Sequence, residues 1–269
     1  MLKSRLIFAL LMKNGSYQLS RNFNLQDVGD LNWIKKYYNF DAIAFSIDEL
    51  IVVNVERGEK NVDLFCENLQ KLNENCFMPI TAGGGIRSMD DAYKILNSGA
   101  DKIIVNTPLI NQQNLVKSLV ETFGSQCVIA SIDFKKFDDR HVEVLIDNGS
   151  KSIDLSLDEA VKNAHDLGCG EIYLTSIEQD GTGYGYDLEI LKHVVNISKI
   201  PVIASGGAGK YEHFADGVQK AGASAVSTAN LFNFIADGLI KVRKTMINRG
   251  LGMATWDLDF RKINFVKNY

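Results

Sequence analysis

The chain has 269 residues, a length that fits one (β/α)₈ domain of typical size or two small domains and allows a large core. Apolar residues make up 46% and charged residues 23%, which excludes a disordered or fibrous protein. The formal net charge of −4, without a basic stripe, leaves no electrostatic footprint for nucleic acid. Cys66, Cys76, Cys127 and Cys169 match neither zinc spacing nor a disulfide framework. They read as buried small hydrophobes in a reducing cytosol, so a cytoplasmic protein is expected. The N-terminal apolar run, about seven residues long, is too short for a signal peptide, and no run reaches the ~20 residues of a membrane helix.

Short apolar runs alternate with longer amphipathic ones. The first strand is predicted at Leu6–Met12 and the second at Ala42–Ile47. Strands at Met78–Ala82 and Lys102–Asn106 flank a helix at Ser88–Gly99. A helix at Leu115–Thr122 precedes a strand at Val128–Asp133, and a helix at Leu157–Leu167 precedes one at Glu171–Thr175. The last units are a helix at Leu188–Val195, a strand at Val202–Ser205, a helix at His213–Ala221 and a strand at Ala225–Ala229. Strands without polar alternation suit a parallel sheet buried on both faces. Gly99, Gly168 and Gly222 sit where left-handed helix stops are expected. Eight strands alternating with helices predict an α/β protein, a single TIM barrel over residues 1–250. Residues 251–269 are expected to form a terminal appendage. His141, His165, His193 and His213 read as ordinary surface or capping residues.

An internal repeat supports the barrel. ITAGGGIRSMDDAYKILNSGADKIIVNTPLI resembles VIASGGAGKYEHFADGVQKAGASAVSTANLF at an offset of 122 (206 − 84), as expected of two fused half-barrels. Gly84-Gly85 and Ser205-Gly206-Gly207 each follow a strand and open a helix. There, glycine lets backbone N–H groups and the positive helix end approach an anion. Asn106-Thr107 and Asn230 offer side-chain donors beside them. Two such loops on opposite sides of one mouth suit a ligand with a phosphate at each end. No cofactor and no metal site is expected, and the partners expected include neither nucleic acid nor a membrane.

The segments FGSQCVIASID, LTSIEQDGTGYGYD, IPVIASGGAGKYEHF, TAGGGI and GADKIIVNT run in order along nearly the whole chain. They resemble the cyclase subunit of imidazole glycerol phosphate synthase, the HisF family of histidine biosynthesis. The resemblance implies a lyase that takes ammonia from a glutaminase (HisH-like) partner in a heterodimer. It implies that this ammonia is joined to a bis-phosphorylated ribulosyl aminoimidazole at the mouth. The family uses two opposed acids. One matches Asp133, and the other falls at Leu11, 122 residues earlier (133 − 11). Leu19 falls where the family has a loop lysine, and Asp48, placed near the end of the second strand, is a candidate replacement acid. Asp180-Gly181-Thr182 matches the substrate loop. At the barrel's other end the family's ammonia gate matches Arg5, Lys102 and Glu171, with its fourth position at Ala42, and Asp101 matches a residue facing the glutaminase.

Leu11 sets the alternatives, because leucine transfers no proton and losing a general acid or base costs ~10²–10⁴ in rate. An ordinary cyclase is one reading. A divergent paralogue that channels ammonia for amidino-sugar (surface polysaccharide) synthesis beside a separate amidotransferase is another. A non-catalytic scaffold that activates the glutaminase is a third. A phosphosugar isomerase is a fourth, and Leu11 weighs equally against it.

Overall fold

The computed structural model describes residues 3–38, 46–74, 76–138 and 141–254. Strand β1 (Arg5–Lys13) pairs in parallel with β4 (Glu49–Asn54), followed by β5 (Ile80–Gly83), β6 (Lys102–Val105) and β7 (Val128–Asp138). Strand β7 pairs with β10 (Glu171–Ser176), which leads through β11 (Val202–Ser205) to β12 (Ala225–Thr228). Strand β12 returns to β1, so these eight parallel strands close into a (β/α)₈ barrel.

The helices are α1 (Leu31–Tyr37), α2 (Val62–Asn73), α3 (Met89–Asn97), α4 (Pro108–Asn111), α5 (Gln113–Phe123), α6 (Leu157–Asp166), α7 (Leu188–Ile197), α8 (Tyr211–Gln219) and α9 (Gly238–Asn248). Most start on a side chain that accepts a hydrogen bond from an otherwise free backbone N–H, as Asn61, Ser88 and Asp187 do. Ser156 and Glu159 form a reciprocal capping box on α6. Gly99, Gly168 and Gly222 take the expected positive φ, between +81° and +104°.

Strand periodicity sorts the barrel into layers. Leu6, Phe8, Leu10 and Met12 of β1 face the helices. Ile7 and Ala9 join Ile51, Ile104, Ile129, Tyr173, Ile203 and Ala225 in the barrel interior. Continuing the same alternation puts Arg5 at the N-terminal end of the barrel and Leu11 at its mouth. A strand with no polar alternation in its centre therefore still presents one inward residue to each end of the barrel.

Three expectations need correction. Residues 42–45 of the strand expected at Ala42–Ile47 lie outside the described residues, Ser46 and Ile47 are not in a strand, and the second barrel strand is Glu49–Asn54. The chain also carries two antiparallel hairpin extensions that the apolar runs did not reveal. They are β2 (Ser16–Arg21) with β3 (Asn24–Gly29) on β1, and β8 (His141–Ile146) with β9 (Lys151–Ile153) on β7. They occupy matching places in the two half-barrels. Asp48 is the third correction. It precedes β4 at the N-terminal end of the barrel, where it accepts from the Leu6 N–H at 2.7 Å and pairs in a fork with Arg243 of α9 at 3.1 Å. It is therefore no replacement acid for the mouth. Met253 bridges Ser4 beside this clip, and residues 255–269 of the expected appendage lie outside the described residues.

Candidate active site

A cavity of about 540 Å³ opens at the C-terminal ends of the strands, the end at which barrels of this kind carry their chemistry. Seven of the expected site residues line it: Gly84, Gly85, Asn106, Thr107, Asp133, Asp180 and Ser205. Gly181, Thr182, Gly206, Gly207 and Asn230 are not part of its wall. The second glycine loop is covered instead by the segment after β10, with the Gly185 N–H donating to the Gly207 carbonyl at 2.8 Å.

Asp133 is buried on β7. Its carboxylate accepts from the Asn106 amide at 3.3 Å and the Ser131 hydroxyl at 3.5 Å. Burial pushes this carboxyl up to about 7, more than the Ser131 hydrogen bond holds it down, and nearby Asp180 adds to the rise. Burial also raises Asp180, against hydrogen bonds from the Ser20 hydroxyl and the Phe23 N–H. Asp180 thereby ties the loop after β10 to the β2–β3 hairpin. The cavity floor carries the Tyr173 hydroxyl, which accepts from Ser205 at 2.8 Å and Ser227 at 3.2 Å.

Opposite Asp133 the wall is hydrocarbon. Leu11 is register-paired with Val53, and both line the cavity with Leu25 and Ile104. Leu19 lies on β2, packs against the main hydrophobic core and does not line the cavity.

The half-barrel repeat holds in backbone detail. Gly84 and Gly206 share φ = +88°, and Gly85 and Gly207 have +109° and +110°. A Cβ on Gly84 would meet the Asn54 carbonyl at 2.3 Å, and one on Gly206 would meet the Ser176 carbonyl at 2.4 Å. No other residue fits either turn.

Lys60, on the loop between β4 and α2, was not singled out by the sequence. It sits in a charged, loop-like run, ERGEKN, that reads as solvated. In the structure it lines the cavity, and its ammonium donates to the Asn54 carbonyl at 2.7 Å and to Asn148 Oδ1 at 3.4 Å. Burial draws it down to about 8, against the attraction of Asp147. Arg57, Arg87 and Lys151 line the same cavity.

At the other end of the barrel, Arg5, Glu49, Lys102 and Glu171 form a closed ring of alternating charge. Arg5 pairs with Glu49 at 2.5 Å and with Glu171. Lys102 pairs with Glu171 at 2.8 Å and Glu49 at 3.3 Å. Burial alone would raise Glu171, but hydrogen bonds and charge from Arg5 and Lys102 hold it below the ordinary carboxylate range. The fourth member of the ring is Glu49, not Ala42, which lies outside the described residues. A signal for it existed: Glu49 precedes Glu171 by the repeat offset of 122 (171 − 49). Asp101, exposed beside Lys102, accepts from the Ile80 N–H at 2.8 Å. The histidines lie away from the cavity, and His213 accepts from the backbone N–H groups of Gly209 and Lys210. No helix among the described residues is long and apolar enough to cross a membrane.

Comparison with known proteins agrees with this architecture. The chain is 40% identical over 260 residues to a protein of Parasynechococcus marenigrum provisionally named imidazole glycerol phosphate synthase subunit hisF2, covering 96% of each chain. It is 38% identical over 253 residues to imidazole glycerol phosphate synthase subunit HisF of Streptococcus mutans, covering 93% of this chain and 99% of the relative. It is 37% identical over 256 residues to subunit HisF of Hyphomonas neptunium, covering 95% and 100%. The model of the histidine biosynthesis protein family matches residues 5–235, and with these relatives it establishes that the chain is a (β/α)₈-barrel member of that family, of the HisF type.

Proposed function

We propose that this chain is the cyclase subunit of an imidazole glycerol phosphate synthase-type complex, adding ammonia from a glutaminase partner to a bis-phosphorylated substrate in the mouth. The observation that carries this reading is the pairing of two features on one barrel axis. A neutral ring of two cations and two anions sits at one end, and an acid with a raised pKa sits at the other. Ions crossing such a ring would disturb its paired charges, whereas neutral ammonia would not. Above the ring the interior is mainly aliphatic, with the buried hydroxyls of Thr81, Ser227 and Tyr173 among the apolar side chains and Tyr173 facing the cavity. Gly84, Gly85, Asn106 and Thr107 would take one phosphate, and Ser205, Gly206, Gly207 and Asn230 the other. Asp180, Gly181 and Thr182 would hold the hydroxyl-bearing middle. Asp101 and the ring would face the glutaminase.

A second reading rests on the Leu11–Val53 wall. A paralogue that serves another nitrogen acceptor would keep the ring and the glycine loops while losing the strand-1 acid. One assay separates the two. Purified chain receives the bis-phosphorylated ribulosyl aminoimidazole with excess ammonium salt, and again with a HisH-type glutaminase and glutamine. Turnover in both arms is expected. No turnover with ammonium, together with activity gained in Leu11→Asp, would transfer the case to the paralogue.

A further inference from the structure

Adding ammonia to a carbonyl requires one group to take a proton and another to give one. The mouth has Asp133 on one side and the hydrocarbon of Leu11 and Val53 on the other. We propose that Lys60 is the second proton-transfer group, supplying from the β4–α2 loop what strand β1 does not. This rests on the ammonia-adding reading above.

The geometry is built to present this side chain. The stem of Lys60 crosses Gly85, where a Cβ would lie 3.1 Å from Lys60 Cδ, so glycine at 85 makes room for it. Its ammonium is fixed by one acceptor from β4, the Asn54 carbonyl, and one from the β8–β9 turn, Asn148 Oδ1. Asn148 is itself tied to the loop through the Glu56 carbonyl at 3.0 Å. A lysine ammonium has three donors, so one remains for a ligand. Among the described residues its charged neighbours are Glu56 on its own loop, Arg87 after β5, Asp147 in the β8–β9 turn and Asp133 on β7. Arg57 and Lys151 also border the cavity.

Burial raises the Asp133 carboxyl and lowers the Lys60 ammonium, so the two are drawn toward each other and a carboxylate faces an ammonium near neutral pH. In the addition step a C–N bond forms and the carbonyl π bond breaks. Asp133 takes a proton from the attacking nitrogen, and Lys60 gives one to the oxygen. The products are the carbinolamine, a neutral carboxyl and a neutral amine. Return of the proton from Asp133 to Lys60 resets the pair, and a second exchange of the same kind expels water and leaves the imine.

The test compares Lys60→Arg and Lys60→Met with the unaltered chain, using the bis-phosphorylated substrate and ammonium salt across pH. Arginine keeps the charge but does not titrate in this range. Both variants are expected to lose about 10²–10⁴ in kcat and to lose the alkaline limb near pH 8. Full kcat in Lys60→Arg, with only a raised KM in Lys60→Met, would reduce Lys60 to an anion holder and overturn the proposal. A second measurement needs no turnover. Acetic anhydride labelling of the unaltered chain, read by mass spectrometry across pH, is expected to show Lys60 half-reactive near pH 8. A midpoint above pH 10 would overturn the proposal. Labelling near pH 8 in a chain that turns nothing over would sink the substrate reading alone.

Discussion

Replacing Asp133 by Asn removes a buried carboxyl with little change of shape. In the folded chain this carboxyl is raised from 3.8 to about 7. A group raised in this way weakens the fold once the unfolded chain can ionise. The cost is absent below the unfolded value, grows as pH climbs, and levels off above the folded value. The full gap corresponds to about 4 kcal/mol, of which more than half develops between pH 5 and pH 8. The lost Asn106 and Ser131 contacts should change stability about equally at both pH values, so the difference between them isolates ionisation. Urea unfolding of both proteins at pH 5 and pH 8 should therefore show Asp133→Asn gaining roughly 2–3 kcal/mol on the parent over that interval. An advantage that stays constant within about 0.5 kcal/mol would mean that Asp133 titrates as an ordinary carboxylate, and its part as a poised base would fall with it. Activity should move the opposite way, since the asparagine takes no proton.

Two further outcomes concern the frame. Asp48→Asn or Arg243→Met alone should lower stability by about 3–5 kcal/mol, because each strands a buried charge. The double variant should cost little more than either, and additive losses in denaturant melts would show that the two side chains act separately. Gly84→Ala and Gly206→Ala should each cost more than about 2 kcal/mol and agree closely, since their φ values and carbonyl clashes match. Gly250→Ala, just past the end of α9 at φ = +80° with nothing within 4 Å of its Cβ, should cost only about 1–2 kcal/mol. Equal losses at all three sites would remove the clash from the account.

The barrel was legible because its repeat leaves marks at two levels. The glycine pairs recur at one offset in the sequence and at nearly equal φ in the backbone. The family resemblance matched its two acids to Asp133 and Leu11, and their separation agrees with the same offset. The second strand was misplaced because AIAFSI is a cleaner apolar run than ELIVVN. The latter opens on Glu49, a charge that only the closed ring explains. The hairpins were missed because Asn14-Gly15 looked like a strand end, whereas Asn14 (φ +50°) and Gly15 (φ +76°) turn the chain back on itself. Lys60 carries no local signal. It becomes a site residue only through Gly85 and Asn148, which are distant in sequence and adjacent in space.

The clip between Asp48 and Arg243 also bears on how the chain reaches this shape. The partners are 195 residues apart, and β1 lies between β4 and a β12 that begins at Ala225. A polypeptide emerging from the ribosome therefore carries β1 with one edge unpaired until β12 has been made. Until α9 follows, Asp48 lacks the Arg243 side chain that pairs with it. Helix α9 is thus more than outer packing. Its arrival neutralises a charge at the start of the second barrel strand and ties α9 to a segment made almost two hundred residues earlier, making closure a long-range step.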